Sequence, residues 1–303
     1  MIAKRIAAAA ATVALILGAW FVRDRVIEDS SDKNGQEADT TPPELVCVTE
    51  LADICRSVAG DLPVRVAQAG DTLDELAALD RPEPLWLTFD PFPAMVNELR
   101  TARGAEAISF IATDVASSPI SIVARPDSTD ELVAACGDPL NLTCVGRQTQ
   151  LKPTFAATSS GIGIISIAAA VGSFSNNTVD FNDLDLLTWA RSFRRSSSQV
   201  ALSGGTAVQT IQTRSTFSVA IGAEAELAPA RRDAFDVLYA DPMVRADVTL
   251  MVPGDTDAPD GLIQALTEAL LANGWDPALP TEPTGLPVPG TILAIRNYWE
   301  ELR

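Results

Sequence analysis

The chain has 303 residues, 47% of them hydrophobic, with 22 Lys and Arg against 40 Asp and Glu, a formal charge of −18 and no histidine. That apolar content can build a sizeable core in one large domain or two smaller ones. The acidic balance excludes nucleic acid as a partner, because phosphate backbones need clustered Lys and Arg, and the missing histidine excludes Ser-His-Asp and Cys-His nucleophiles and every imidazole metal site.

Lys4 and Arg5 precede an uncharged run of 17 residues, Ile6 to Val22, and Arg23, Asp24 and Arg25 follow it. As a helix the run would extend about 25 Å, enough to span a bilayer. No small-residue cleavage pattern ends it, and Trp20 and Phe21 stand where interfacial aromatics anchor a span. Residues 1–23 are therefore expected to be an uncleaved single-pass membrane anchor, with the globular part outside the cytoplasm. Residues 24–44 are polar and acidic with little to bury, as in a solvated, disordered tether.

The globular part opens with a short strand, Leu45–Val48, followed by a helix over 49–59 for which Thr49 is the expected N-cap. Strand Val64–Ala67 and a helix over 72–79 come next, then strand Leu85–Phe89 and a helix from Pro93 to Arg103 with proline in its first turn. Further along stand strand Ser121–Ala124, a helix over 128–135, strand Thr154–Ala157 and helices over 161–174, 182–194 and 205–213. The chain closes with strands Ser218–Ile221, Phe235–Tyr239 and Val248–Val252 and helices over 260–272 and 289–302. Alternating strands and helices argue for an α/β architecture with a parallel sheet covered on both faces.

Four cysteines, Cys47, Cys55, Cys136 and Cys144, form two pairs of identical spacing, and no Cys-x-x-Cys occurs. Outside the cytoplasm, Cys47–Cys55 and Cys136–Cys144 are the simplest disulfides among three connectivities, and four buried thiols are the alternative. Asp180, Asp183 and Asp185 lack the glycine and distal glutamate of a calcium loop, so helix capping is their simpler role. No metal and no cofactor are expected.

In an open α/β sheet, ligands bind beyond the carboxyl ends of strands. Four loops fall there: Val48–Glu50, Thr88–Pro93, Ala157–Gly161 and Ser203–Thr206. Thr158, Ser159 and Ser160 offer hydroxyls at a helix start, where free N–H groups and the helix dipole favour an anion; taken alone the loop is more simply a cap and its turn. Gly161 and Gly163 lie inside that helix and are more simply packing residues than a nucleotide fingerprint.

Three passages carry a family resemblance: Leu151–Gly161, the pair Phe235–Val244 and Val248–Val252, and Thr284–Gly290 before the final helix. Their order resembles the type II periplasmic solute-binding fold, in particular the molybdate- and sulfate-binding-like branch and related membrane-anchored modules. The resemblance implies two α/β lobes with mostly parallel sheets joined by crossover strands, lobe one over 45–115 plus 241–303 and lobe two over 116–240. It further implies a ligand between them, an oxyanion or small polar solute, touched by Thr49, Asp90, Ser159, Ser160, Gly205 and Thr206, with Thr158 as the cap. Thr49-Glu50 stands where oxyanion binders carry a hydroxyl loop, so an anion would meet a carboxylate. The function expected is extracytoplasmic solute binding or ligand sensing without catalysis, beside a transporter or cell-surface partner. The alternatives are an interaction module whose pocket is filled, and an enzyme working through Glu50 and Asp90.

Overall fold

The structure is a computed structural model that describes residues 43–78, 83–200, 206–254, 256–278 and 285–302. The expected anchor, nearly all of the tether and Gly205 lie outside these residues. Among the described residues no helix is long and apolar enough to cross a membrane.

Strand β1 (Leu45–Val48) leads through a 3-10 turn, Thr49–Leu51, into α1 (Ala52–Val58). Then come β2 (Val64–Ala67), α2 (Ala69–Leu76), β3 (Leu85–Phe89) and α3 (Phe92–Ala102). The long β4 (Phe110–Ala124) is followed by α4 (Pro126–Cys136), α5 (Leu142–Val145), β5 (Thr154–Ala156), α6 (Gly161–Ser175) and α7 (Leu184–Ser196). The chain continues through β6 (Ser198–Val200), α8 (Ala207–Thr213), β7 (Val219–Ala223), β8 (Asp236–Tyr239), β9 (Arg245–Pro253), α9 (Leu262–Ala272) and α10 (Pro289–Glu301).

The strands run in the order β2-β1-β3-β9-β4-β7-β5-β6, with β8 also on β4. β1 lies parallel to β2 and β3, and β5 parallel to β6 and β7. Every pairing of β4 and β9 is antiparallel. The sheets are therefore mixed, and the expectation of mostly parallel pairing is corrected. Its source is β4, a 15-residue strand of which the alternation of apolar residues reveals only Ser121–Ala124. Thr113, Asp114, Ser117, Ser118 and Pro119 interrupt the apolar pattern, yet these residues pair along β9 with a bulge between Asp114 and Ala116. The beginning of β4 thus belongs with β1, β2, β3 and β9, and its end with β5 to β8.

β1 and β3 are buried at every position, as strands covered on both faces must be. Helix α6 is apolar all round, and its residues from Gly161 to Gly172 are buried. Helix α10 packs against both α3 and α6. Its Trp299 lies 5.8 Å from Phe155 and 5.7 Å from Phe193 between ring centroids, and Arg194 hydrogen-bonds the Trp299 carbonyl. Both local disulfides are formed. Cys47–Cys55 fixes β1 to α1 within the core, and Cys136–Cys144 closes the loop between α4 and α5.

Candidate functional site

Three segments that follow or flank β1, β2 and β3 converge on the start of α6. The Ser160 side chain is fully buried and caps the helix, accepting from the Gly163 amide at 3.1 Å. Its hydroxyl donates to Glu50 Oε1 at 2.5 Å, and the Ile162 amide donates to the same oxygen at 3.1 Å. The Glu50 carboxylate thus sits on the positive end of a 15-residue helix. Beside it the Gly70 amide in α2 donates to the Ser159 carbonyl at 2.9 Å. A Cβ on Gly70 would stand 3.2 Å from Ser159 Cα, and one on Gly161 would stand 2.5 Å from the Phe89 ring, so close approach requires glycine on either side of this junction.

Ser160, not Thr158, is therefore the cap. Thr158 Oγ1 donates to Glu300 Oε1 at 3.3 Å and ties the loop to α10. Thr49 does not cap α1 either, because the 3-10 turn intervenes and Leu51 occupies that position without a side-chain bond. Ser159 contributes its backbone, and Thr49 is half-buried next to Glu50.

Thr206 caps α8 through a capping box, accepting from the Gln209 amide at 3.2 Å while its own amide donates to Gln209 Oε1 at 3.1 Å. Near it lies a residue that sequence reasoning missed, Glu226, in the 3-10 turn after β7. Gln212 Nε2 donates to its backbone carbonyl at 3.1 Å and so fixes the turn to α8. The Glu226 carboxylate lies beside Gly222, where Val208 and Ile162 also crowd. Burial, and next the charge of Glu50, push its carboxyl up to about 8, against weaker opposing effects from the Thr206 hydroxyl and the Ala223 backbone. Neither Glu226 oxygen reaches hydrogen-bond geometry with a partner among the described residues, and Glu50 Oε2 is likewise buried and unpartnered.

Asp90 belongs to a different group of carboxylates. It follows β3 at a cis bond to Pro91, and its amide donates to the Asp247 carbonyl at 2.8 Å. Burial and the nearby Asp114 raise the Asp90 carboxyl, while burial, Asp114 and Asp90 push Asp247 up to about 6 against the pull of Arg245. Asp90, Pro91 and Ala94 face Leu286 to Pro289 across a pocket of 340 Å³. Glu50 thus acts on Glu226, and Asp90 on Asp247. Among the described residues no cluster of three or more acidic or cysteine side chains has the geometry to hold a metal ion.

No family model matches the chain, and no curated protein matches it in sequence. Solved structures match it in fold. Iron-bound HitA from Pseudomonas aeruginosa aligns over 86% of this chain and 99% of its own, with a TM-score of 0.54 and 10% identity. The type II periplasmic-binding-protein fold is shared. AfuA from Actinobacillus pleuropneumoniae, a periplasmic binding protein holding fructose-6-phosphate, covers 77% of this chain and 80% of its own at a TM-score of 0.52 and 11% identity. The sulfate-binding protein SubI from Mycobacterium tuberculosis H37Rv covers 86% and 91% at 0.50 and 14%. In this chain the α6 start is held by Glu50, which follows β1, and packs against Phe89 at the end of β3.

Proposed function

We propose that the protein is a membrane-anchored extracytoplasmic solute-binding or ligand-sensing protein that holds a small polar solute between its two lobes, lobe one over 45–115 plus 241–303 and lobe two over 116–240. The observation that carries this reading is the junction at α6, where Glu50 from one lobe meets Ser160 and Ile162 of the other. A ligand in this region would touch Thr49, Ser159, Ser160, Gly205 and Thr206, with Asp90 and its pocket as a neighbouring contact. Glu50 already satisfies the α6 start, so a free oxyanion would have to displace an internal carboxylate. Sulfate and molybdate are therefore poor candidates.

The same observation favours a second reading, a cell-surface interaction module whose seat is filled by its own side chain. A thermal-melt screen of the full chain against amino acids, amines, sugars and oxyanions separates the two. A ligand that binds only the folded state at about 100 times its Kd adds about 2.7 kcal/mol of stability and raises Tm. A shift with one class supports solute binding, whereas no shift from any class at high concentration overturns it and leaves the interaction module.

A further inference from the structure

Glu50 and Glu226 both lie beside Ile162 in the first turn of α6, and the charge of Glu50 acts on Glu226. Glu50 Oε1 accepts from the Ile162 amide, and the Ile162 side chain lies with the Glu226 carboxylate and Val208 around Gly222. The positive helix end compensates Glu50 through that oxygen, but Glu50 Oε2 is buried with no hydrogen bond among the described residues, and the Glu226 oxygens, although the Thr206 hydroxyl and the Ala223 backbone lie close enough to act on them, make no hydrogen bond of full geometry. Buried polar groups are almost always hydrogen-bonded, and a buried carboxylate left bare either takes up a proton or attracts a cation. The Glu226 carboxylate lies beside apolar methyl groups of Val208 and Ile162 at Gly222, close enough to Glu50 for the two charges to act on one another. A primary ammonium carries three N–H donors on a compact charge and an alkyl stem, which matches both features.

Resting on the solute-binding reading, we propose that Glu50 and Glu226 form the seat of a cationic amine, with the ammonium nitrogen between the two carboxylates and its carbon chain against Val208 and Ile162. Opening of the lobes admits the amine, and closing brings Glu50 onto α6 and completes the cage. Amine binding needs Glu226 ionised, so each bound amine releases up to one proton below a pH of about 8.

The test is calorimetric titration of the full chain with methylammonium and 1,4-diaminobutane at about pH 6 and about pH 9, on either side of the Glu226 value of about 8. Sodium sulfate and a neutral sugar run in parallel. Amine affinity should rise about tenfold per pH unit below that value and level off above it, with proton release seen in buffers of different ionisation enthalpy. Glu226→Gln should weaken amine binding at the higher pH and abolish its pH dependence. If that variant does not fold, proton release from the unsubstituted chain decides the question. Binding of sulfate or the sugar but of no amine would overturn the cationic seat and leave solute binding intact. Binding by none of the probes or of the wider screen would overturn both. Amine binding without proton release, or unchanged in Glu226→Gln, would place the amine elsewhere and overturn the seat.

Discussion

Helices α6 and α8 both begin with a hydroxyl cap, and the two caps do different work. At α8, Thr206 and Gln209 satisfy one another within four residues, so the start is closed by its own sequence. At α6, Ser160 caps Gly163 but also donates to Glu50, which lies 110 residues away. A locally closed cap stabilises its helix; a cap that recruits a distant carboxylate also ties that helix to a remote part of the chain. Hydroxyls at a helix start therefore do not mark a binding site by themselves, and the identity of their partner decides.

The largest test of this contrast is Gly163→Ala. A Cβ there would collide with the Ala157 carbonyl, so the turn into α6 cannot form without backbone movement. The expected loss is about 4 kcal/mol or more, read as failure to fold or a collapsed denaturation midpoint. An ordinary midpoint would show that the α6 start is less tightly built than described.

Next comes Glu226→Gln. The folded carboxyl titrates at about 8 against an ordinary value of 4.5, so between those values the folded state holds a proton that the unfolded state has released. Its stabilising contribution is complete below about 4.5 and disappears as pH rises through about 8, a change on the order of a few kcal/mol. The unsubstituted chain should lose denaturant stability across that window, and Glu226→Gln should flatten the loss. An unchanged slope would assign the pH dependence to other groups, Asp247 first, which titrates at about 6.

Glu50→Ala strips a charged acceptor from the Ser160 hydroxyl and the Ile162 amide and should cost about 2 kcal/mol in chemical denaturation. Thr206→Ala should cost about 1 kcal/mol, the worth of a local cap. If Thr206→Ala costs as much stability as Glu50→Ala does, the distinction between the two caps fails.

Much of the architecture was legible because burial writes itself into short runs. Leu45–Val48 and Leu85–Phe89 are continuous apolar strands, and the eight-residue spacing of each cysteine pair matched the disulfides formed. The crossing strand β4 was legible only at its end, since Asp114 to Pro119 lack the alternation that announces a strand. Its pairing with β9 is set across the sheet by residues more than a hundred positions away. The site divided in the same way. The Thr158 to Ser160 loop was visible as a helix start, but which hydroxyl caps it depends on the turn geometry that gives the position to Ser160 and sends Thr158 to Glu300. Glu226 was missed because an acid after a strand in Ala223-Glu-Ala-Glu226 looks like any solvated turn. The turn's packing under α8 buries it.

The most direct measurement is amide hydrogen exchange at Ile162 in the unsubstituted chain and in Glu50→Ala, with Gln209 as the reference. Glu50 holds the Ile162 amide from 112 residues away, whereas the Thr206 hydroxyl holds the Gln209 amide locally. The expected result is exchange at Ile162 accelerated by about tenfold or more in Glu50→Ala beyond any change at Gln209. Equal protection of Ile162 in the two proteins would contradict a junction between lobes built on Glu50.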